Sequence, residues 1–328
     1  MDLTTVADDE AVLHDAGVEH RHPGLAPDTP HEIGGHAFRT LPRPGERLAT
    51  VCTVNDVHYG ETECGILDGI EGGPIHSVPP GAEPYPQLMN RCAIAEMQAV
   101  GPDAVVVKGD LTSMGSRAEY EQFLEAYVPA FGDRLLHVRG NHDAYHGEDF
   151  ASEAPLAREL PGVLLAVIDT SVPGLASGGL SDDTLDWLDQ LAADADRPVL
   201  VFGHHHPWDP GSAARPERYF GINPTDSERL VEVVARRPRI WGYFAGHTHR
   251  NRVRRFRASG SVPYVEVACV KDFPGAWAEY RVFEGGVLHL VHRIRRADAV
   301  AWTERTRGMF GGLYPGYAFG ALEERCFV

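Results

Sequence analysis

The amino-acid sequence predicts an α/β fold, and three observations carry that reading. From Arg47 onward, short apolar runs alternate with amphipathic segments of helical period. Each apolar run ends in a cluster of polar residues, and the C-terminal ends of strands are where open α/β sheets hold their ligands. The chain has 328 residues, 43% of them hydrophobic and 23% charged, a length and composition that favour one large globular domain.

The elements follow from local pattern. Residues 1–47 are polar, acidic and punctuated by histidine and proline, so they read as an N-terminal extension wrapped on the domain rather than as a packed unit. Their histidines, His14, His20, His22, His31 and His36, lack regular spacing and read as solvated. Strands are predicted at Leu48–Val54, Ala104–Val107, Leu135–Val138, Val163–Ile168, Val199–Phe202 and Ile240–Phe244, all short apolar runs. A strand-rich end follows at Val253–Phe256, Tyr264–Val270, Ala278–Phe283 and Val287–Ile294, with Glu284-Gly285-Gly286 as a hairpin turn. Helices fill the gaps at Gln87–Val100, at Ala118–Tyr127 behind a Ser116/Glu119 capping box, at Asp182–Ala193 after Ser181, and at Asp226–Arg236. Glycine and proline break the rhythm over residues 60–86, which marks a long loop. The segment 297–328, with Tyr314, Tyr317 and Phe319 among glycines, reads as a C-terminal extension that packs on the domain or on a second subunit, so a homo-oligomer is compatible with the sequence.

Charge and cysteine usage exclude several classes. A formal net charge of −17 repels polyanions and argues against extended nucleic-acid contact. No run of eighteen apolar residues occurs, so no membrane-spanning helix is expected. The first ten residues lack the charged and apolar regions of a secretory signal, which predicts a cytoplasmic protein. The five cysteines are scattered without CxxC spacing and read as reduced, buried thiols. Lys108 and Lys271 are the only lysines in an arginine-rich chain, a bias that reads as coding preference.

Five polar clusters end predicted strands: Asn55-Asp56-Val57-His58, Gly109-Asp110, Gly140-Asn141-His142-Asp143, Gly203-His204-His205-His206-Pro207 and Gly246-His247-Thr248-His249. Each offers oxygen or imidazole ligands of the kind that bind Mn, Fe or Zn. In Asp-x-His and His-x-His, alternate residues leave a strand on the same side, so both can reach one site. Glycine before Asp110, Asn141, His204 and His247 fits a tight turn where a side chain would crowd the neighbouring backbone. Together the clusters supply enough ligands for two divalent or trivalent ions, with Asp110 as the bridging carboxylate.

With these motifs complete and in order, the sequence resembles the calcineurin-like metallophosphoesterase superfamily. Gly109-Asp110-Leu111-Thr112 with Glu119-Tyr120 and Phe123, and Ile168–Gly174 with Gly179-Leu180-Ser181 and Trp187-Leu188, resemble the branch of class III cyclic nucleotide phosphodiesterases and glycerophosphodiesterases. Ser113 stands where purple acid phosphatases carry a tyrosine ligand, and Gly109–Gly115 lacks the GDxxDRG of serine/threonine phosphatases. The resemblance implies a metallophosphoesterase-type four-layer sandwich, two mixed β-sheets flanked by helices, over residues 48–296. It implies a first metal on Asp56, His58, Asp110 and His249, and a second on Asp110, Asn141, His247 and His205. His205 is chosen because the family ligand usually lies two residues before the proline, here Pro207, and His204 is the alternative.

Two such metals lower the pKa of a bridging water and stabilise phosphoryl oxygens during in-line displacement. His142 is the candidate acid for the leaving alkoxide, with Asp143 orienting it or raising its pKa. The expected function is hydrolysis of a small phosphodiester such as a cyclic nucleotide or glycerophosphodiester. The alternatives are a phosphomonoesterase, a nucleotide-pyrophosphate hydrolase, or a catalytically idle scaffold. Candidate substrate contacts are Tyr85 from the 60–86 loop, and Trp208 and Arg218 in a wall ending at Phe220. Arg250, Arg252, Arg254 and Arg257 read as an ion-paired strand face.

Overall fold

The computed structural model describes residues 1–15, 17–66 and 73–328. Residues 67–72 of the long 60–86 loop lie outside the described residues; the described part holds a short pairing of Glu63–Cys64 with His76–Ser77.

Two six-stranded mixed sheets form the body. The first runs, in spatial order, Leu135–Val138, Ala104–Lys108, Arg47–Val54, Ala276–Phe283, Gly286–Arg293 and Cys326–Phe327. Its first three strands are parallel and the rest antiparallel. The second runs Leu156–Leu160, Val163–Val167, Val199–Phe202, Ile240–Ala245, Pro263–Glu266 and Arg252–Arg255, with a parallel centre and antiparallel edges. Both central sets are buried on two faces, which explains their continuous apolar text. Val51, Val106, Leu165, Phe202, Phe244 and Tyr280 fill the layer between the sheets.

Helices Tyr85–Val100 and Arg117–Phe131 cover the outer face of the first sheet, burying Met89, Met97, Phe123 and Tyr127 against Cys52, Val105 and Val107. Helices Asp182–Asp194 and Pro224–Arg236 cover the second through Leu185, Leu188, Leu230 and Val233. Each fully buried aliphatic or aromatic side chain contributes about 1.5–3 kcal/mol of transfer free energy, so these layers hold the sheets in fixed relation. The Ser116/Glu119 capping box is present, and Ser181 caps its helix through Thr184 N.

The N-terminal segment corrects the sequence reading of an unpacked arm. Asp2–Val6, Glu10–Asp15 and Val18–Pro23 form an antiparallel sheet, and Pro30–Ile33 pairs with His36–Arg39. Leu3, Val6, Ala11, Leu13 and Phe38 form a small core there, and Thr5 Oγ1 donates to Val291 O at 2.7 Å. The first two strands are buried on both faces, so they show no polar/apolar alternation to read. His14 is buried there, not solvated. The C-terminal segment packs on the same domain: Trp302 stacks on Tyr85 at 4.4 Å, and Cys326–Phe327 extends the first sheet. No helix among the described residues is long and apolar enough to cross a membrane.

Candidate metal centre

The polar clusters leave the C-terminal ends of five parallel strands, three in one sheet and two in the other, and meet where the sheets adjoin. Backbone N–H groups stitch them together: His58 N donates to the Asp110 carbonyl O at 2.9 Å, and His142 N to the Asp110 side-chain Oδ1 at 3.0 Å. Across the sandwich, His247 N donates to Asp56 Oδ1 at 3.1 Å. A Cβ on Gly109 would strike the His204 ring and Gly140 N, and one on Gly140 would strike Asp110. The sequence expectation that glycine is needed for close approach therefore holds at both turns.

Asp56, His58, Asp110, His247 and His249 all have positive φ, between 48° and 69°. This left-handed region is sparsely populated by non-glycine residues and gathers at sites whose geometry the surroundings enforce. No sequence pattern announces it.

The donor atoms have the spacing of ligands around shared ions. Asp110 Oδ2 lies 3.4 Å from His58 Nε2 and 3.3 Å from His204 Nε2. His249 Nε2 lies 3.5 Å from Asp56 Oδ1, and His204 Nε2 lies 3.1 Å from Asn141 Oδ1. Two ligands each ~2.1 Å from one ion, at tetrahedral or octahedral angles, stand roughly 3.0–3.4 Å apart. Both ring nitrogens of His58 are buried without a hydrogen-bond partner, a costly state that a cation relieves. The residues present thus fit a dinuclear metal centre.

Neighbouring groups aim the ligands. His204 Nδ1 meets Lys108 O at 2.8 Å, which leaves Nε2 facing the centre. His247 Nε2 meets Phe220 O at 2.6 Å, which leaves Nδ1. Asn141 Nδ2 donates to Tyr145 Oη at 2.7 Å, turning its carbonyl oxygen inward. Burial opposes charge on His204, yet the adjacent Asp110 outweighs it and raises the imidazole to about 9. Asp110 is itself held well below the usual carboxylate range: burial works against its charge, but the adjacent His204 prevails. The centre favours positive charge, the demand a divalent cation meets.

The three histidines of the run point in different directions. His204 points at Asp110 and Asn141. His205, the residue chosen from the proline count, pairs Nδ1 with Thr170 Oγ1 at 2.9 Å, while its Nε2 is buried without a hydrogen-bond partner and the residue groups with His204 and His247. His206 is turned toward Glu266.

His142 is half-buried, its ring 4.5 Å from that of His58 and its Nδ1 2.7 Å from Ser113 O. Asp143 does not orient it, which corrects the sequence reading. The Asp143 carboxylate accepts from Leu111 N, Thr112 N, Thr112 Oγ1 and Gly140 N at 2.6–3.0 Å, so it ties two ligand-bearing turns together. Burial, reinforced by Asp110, pushes its pKa up to about 6.

The substrate candidates fare differently. Tyr85 is fully buried against Trp302, and Trp208 is buried with its backbone N–H on Ser227 Oγ, so both are core. Arg218 is exposed on its loop. Phe220, at the end of the same wall, does reach the centre, its ring stacked 4.1 Å from that of His247. Arg250 and Arg254 pair with Glu266, as an ion-paired face requires.

Sequence reasoning missed the two lysines. Lys108 is fully buried, donates to Ala245 O at 2.9 Å and is pulled down to about 7 by burial. Lys271 forms a forked 2.6 Å pair with Glu61, and neighbouring Asp272 lies 4.0 Å from His249 Nδ1. In a chain that otherwise uses arginine, retention of lysine was the available signal, because only a compact ammonium suits such a niche.

Comparison with known proteins agrees with this geometry. The family model of the calcineurin-like phosphoesterases matches residues 49–251. The glycerophosphodiester phosphodiesterase GpdQ of Enterobacter lignolyticus is 32% identical over 180 residues, covering 48% of this chain and 59% of that protein. The chain thus spans about three fifths of that relative's length. The 3',5'-cyclic adenosine monophosphate phosphodiesterase CpdA of Escherichia coli K12 is 27% identical over 223 residues, covering 64% of this chain and 73% of that protein. Among solved structures, a dimetal phosphatase from Danio rerio superposes with a TM-score of 0.54 at 16% identity, covering 76% of this chain and 98% of that one, a likeness of fold.

Proposed function

Because the chain belongs to the calcineurin-like phosphoesterase family, we propose that it is a binuclear metal-dependent phosphodiesterase acting on a small phosphodiester. The observation that carries this reading is Asp110 Oδ2, set between the imidazoles of His58 and His204 at 3.4 and 3.3 Å. Asp56, His58, Asp110 and His249 would hold one ion, and Asp110, Asn141, His204 and His247 the other. His204 replaces His205 in this assignment because its Nε2 faces the bridging carboxylate. The pair would supply Lewis acidity toward the phosphoryl oxygens and an activated water, and Mn, Fe and Zn all suit this oxygen and imidazole donor set.

The chain's own residues do the rest. The Ser113 carbonyl holds the Nδ1–H of His142, so the proton that His142 can deliver resides on Nε2. That placement supports His142 as the acid for the departing alkoxide, positioned beside His58 and outside the ligand set. Asp143 contributes by locking the turns that carry Asp110 and Asn141. The diester preference draws on the GpdQ and CpdA relatives, which are named for diester hydrolysis. Five free, buried cysteines support a reducing, cytoplasmic setting.

The test is turnover of bis(p-nitrophenyl) phosphate beside p-nitrophenyl phosphate, on metal-stripped protein with and without Mn²⁺. Mn-dependent preference for the diester is expected. Preference for the monoester would replace this reading with a phosphomonoesterase, and no turnover with Mn²⁺, Zn²⁺ or Fe²⁺ would leave a scaffold. His142→Ala should keep both ions and lose turnover chiefly on diesters with poor leaving groups; equal losses on good and poor leaving groups would remove its role as acid.

A further inference from the structure

A groove of about 520 Å³ opens directly from the metal centre, with Thr248 and His249 at its inner end. Its volume falls within the roughly 300–1,000 Å³ usual for small-molecule sites. Its apolar lining comes from three parts of the chain: Phe220, Ile66 of the 60–86 loop, and Met309, Phe310, Leu313 and Tyr317 of the C-terminal segment. Phe220, Leu313 and Tyr317 are 56%, 77% and 45% exposed, an unusual concentration of large apolar surface left in water beside a reactive centre.

The polar groups at its floor are committed to one another. Lys271 is paired with Glu61, the Tyr314 hydroxyl donates to Asp272 Oδ1 at 2.6 Å, and Cys269 Sγ donates to the same oxygen at 2.9 Å. A polyol entering the groove would give up hydration and meet few free partners, which is costly. An aromatic group would lose little water and gain contact with the walls.

The walls are also held in place. Phe220 is anchored to the centre through its carbonyl on His247 and its ring against the same imidazole. Phe310 has a positive φ of 53°, unusual for a non-glycine residue, and is followed by Gly311 and Gly312, which take such angles without strain.

Building on the phosphodiesterase reading, we propose that this groove seats an apolar, ring-bearing ester alcohol of the substrate, with Phe220, Phe310, Leu313 and Tyr317 as its specificity-determining residues. Simple polyol diesters are then poor ligands, since they leave the walls uncovered.

The test uses the full chain loaded with Mn²⁺ and the variant Leu313→Asp, at a site exposed enough to spare folding, with Tyr317→Ser as a second variant. Calorimetry with diphenyl phosphate and dimethyl phosphate measures binding without relying on turnover. Diphenyl phosphate should bind the native chain at least 10-fold more tightly, and each variant should lose most of that margin while dimethyl phosphate binding stays the same. In steady state, KM for bis(p-nitrophenyl) phosphate should rise about 10-fold or more with kcat nearly unchanged, and KM for glycerophosphoethanolamine should not move. Equal binding of the two diesters by the native chain, or equal losses on both in the variants, would overturn the inference. If no diester is turned over, the phosphodiesterase reading fails, while the calorimetric margin still decides what the groove binds.

Discussion

The most quantitative test of the fold is His289, which is buried beside the core of the sandwich. It lies in Gly286–Arg293, is 1% exposed, and neither ring nitrogen has a hydrogen-bond partner. Its ring packs against Tyr280, Phe327 and Phe244 at 5.1, 4.8 and 5.8 Å. Burial, with added repulsion from Lys108 and His292, lowers its pKa to about 3 from an ordinary 6.5. The folded value lies below the unfolded one, so the stability is complete above pH 6.5 and is lost as pH falls from 6.5 toward 3. At pH 5 the unfolded chain has gained about 1.5 units of protonation free energy that the fold refuses, or about 2 kcal/mol at 1.36 kcal/mol per unit. This figure is insensitive to the folded pKa, because any value well below 5 gives the same result. Urea unfolding of native protein and His289→Leu at pH 8 and pH 5 isolates the contribution, since every other titrating group is common to both. The variant should match or exceed native stability at pH 8, having shed two unpartnered nitrogens. Between pH 8 and pH 5 it should lose about 2 kcal/mol less than the native chain. Equal losses would show that the imidazole is not held neutral in the core.

Other perturbations address the centre. His204→Ala should lower metal content from two ions per chain to one, whereas His205→Ala should retain both; elemental analysis showing the reverse would return His205 to the ligand set. Asp143→Asn turns an amide N–H toward backbone donors and should cost about 1–3 kcal/mol in thermal unfolding without moving the pH–rate profile. A shifted profile at unchanged stability would instead tie Asp143 to His142. Gly140→Ala forces a methyl against Asp110 and should weaken Mn²⁺ binding by roughly 10–100-fold in calorimetry. Unchanged affinity would show that the turn yields without moving the carboxylate.

Much of this was legible in the chain. Central strands such as Val199–Phe202 and the Ser116-capped helix follow local pattern because burial and capping act over a few residues. The candidate ligand clusters were legible because each sits at a strand end, and four of the five follow a glycine that close approach explains. The different directions of His204 and His205 were not legible, since these adjacent side chains are aimed by the Lys108 carbonyl and the Thr170 hydroxyl, from distant parts of the chain. Asp143 was misread for the same reason: sequence adjacency to His142 suggested a pair, but the carboxylate turns back to Gly140 and to Leu111 and Thr112. The N-terminal sheet escaped notice because its first two strands are covered on both faces.

The left-handed backbone at Asp56, His58, Asp110, His247 and His249 bears on how this centre should be dissected. An alanine there carries two faults, a missing ligand and a Cβ without the polar side chain that eases this conformation, the second costing about 1–2 kcal/mol. Alanine scanning would charge both to the metal and overstate the worth of each ligand. Asparagine tolerates the same backbone region, so His58→Asn or His249→Asn removes the imidazole while leaving the turn unstrained. The difference between the asparagine and alanine variants then measures how far the loops themselves, apart from any ion, are under tension.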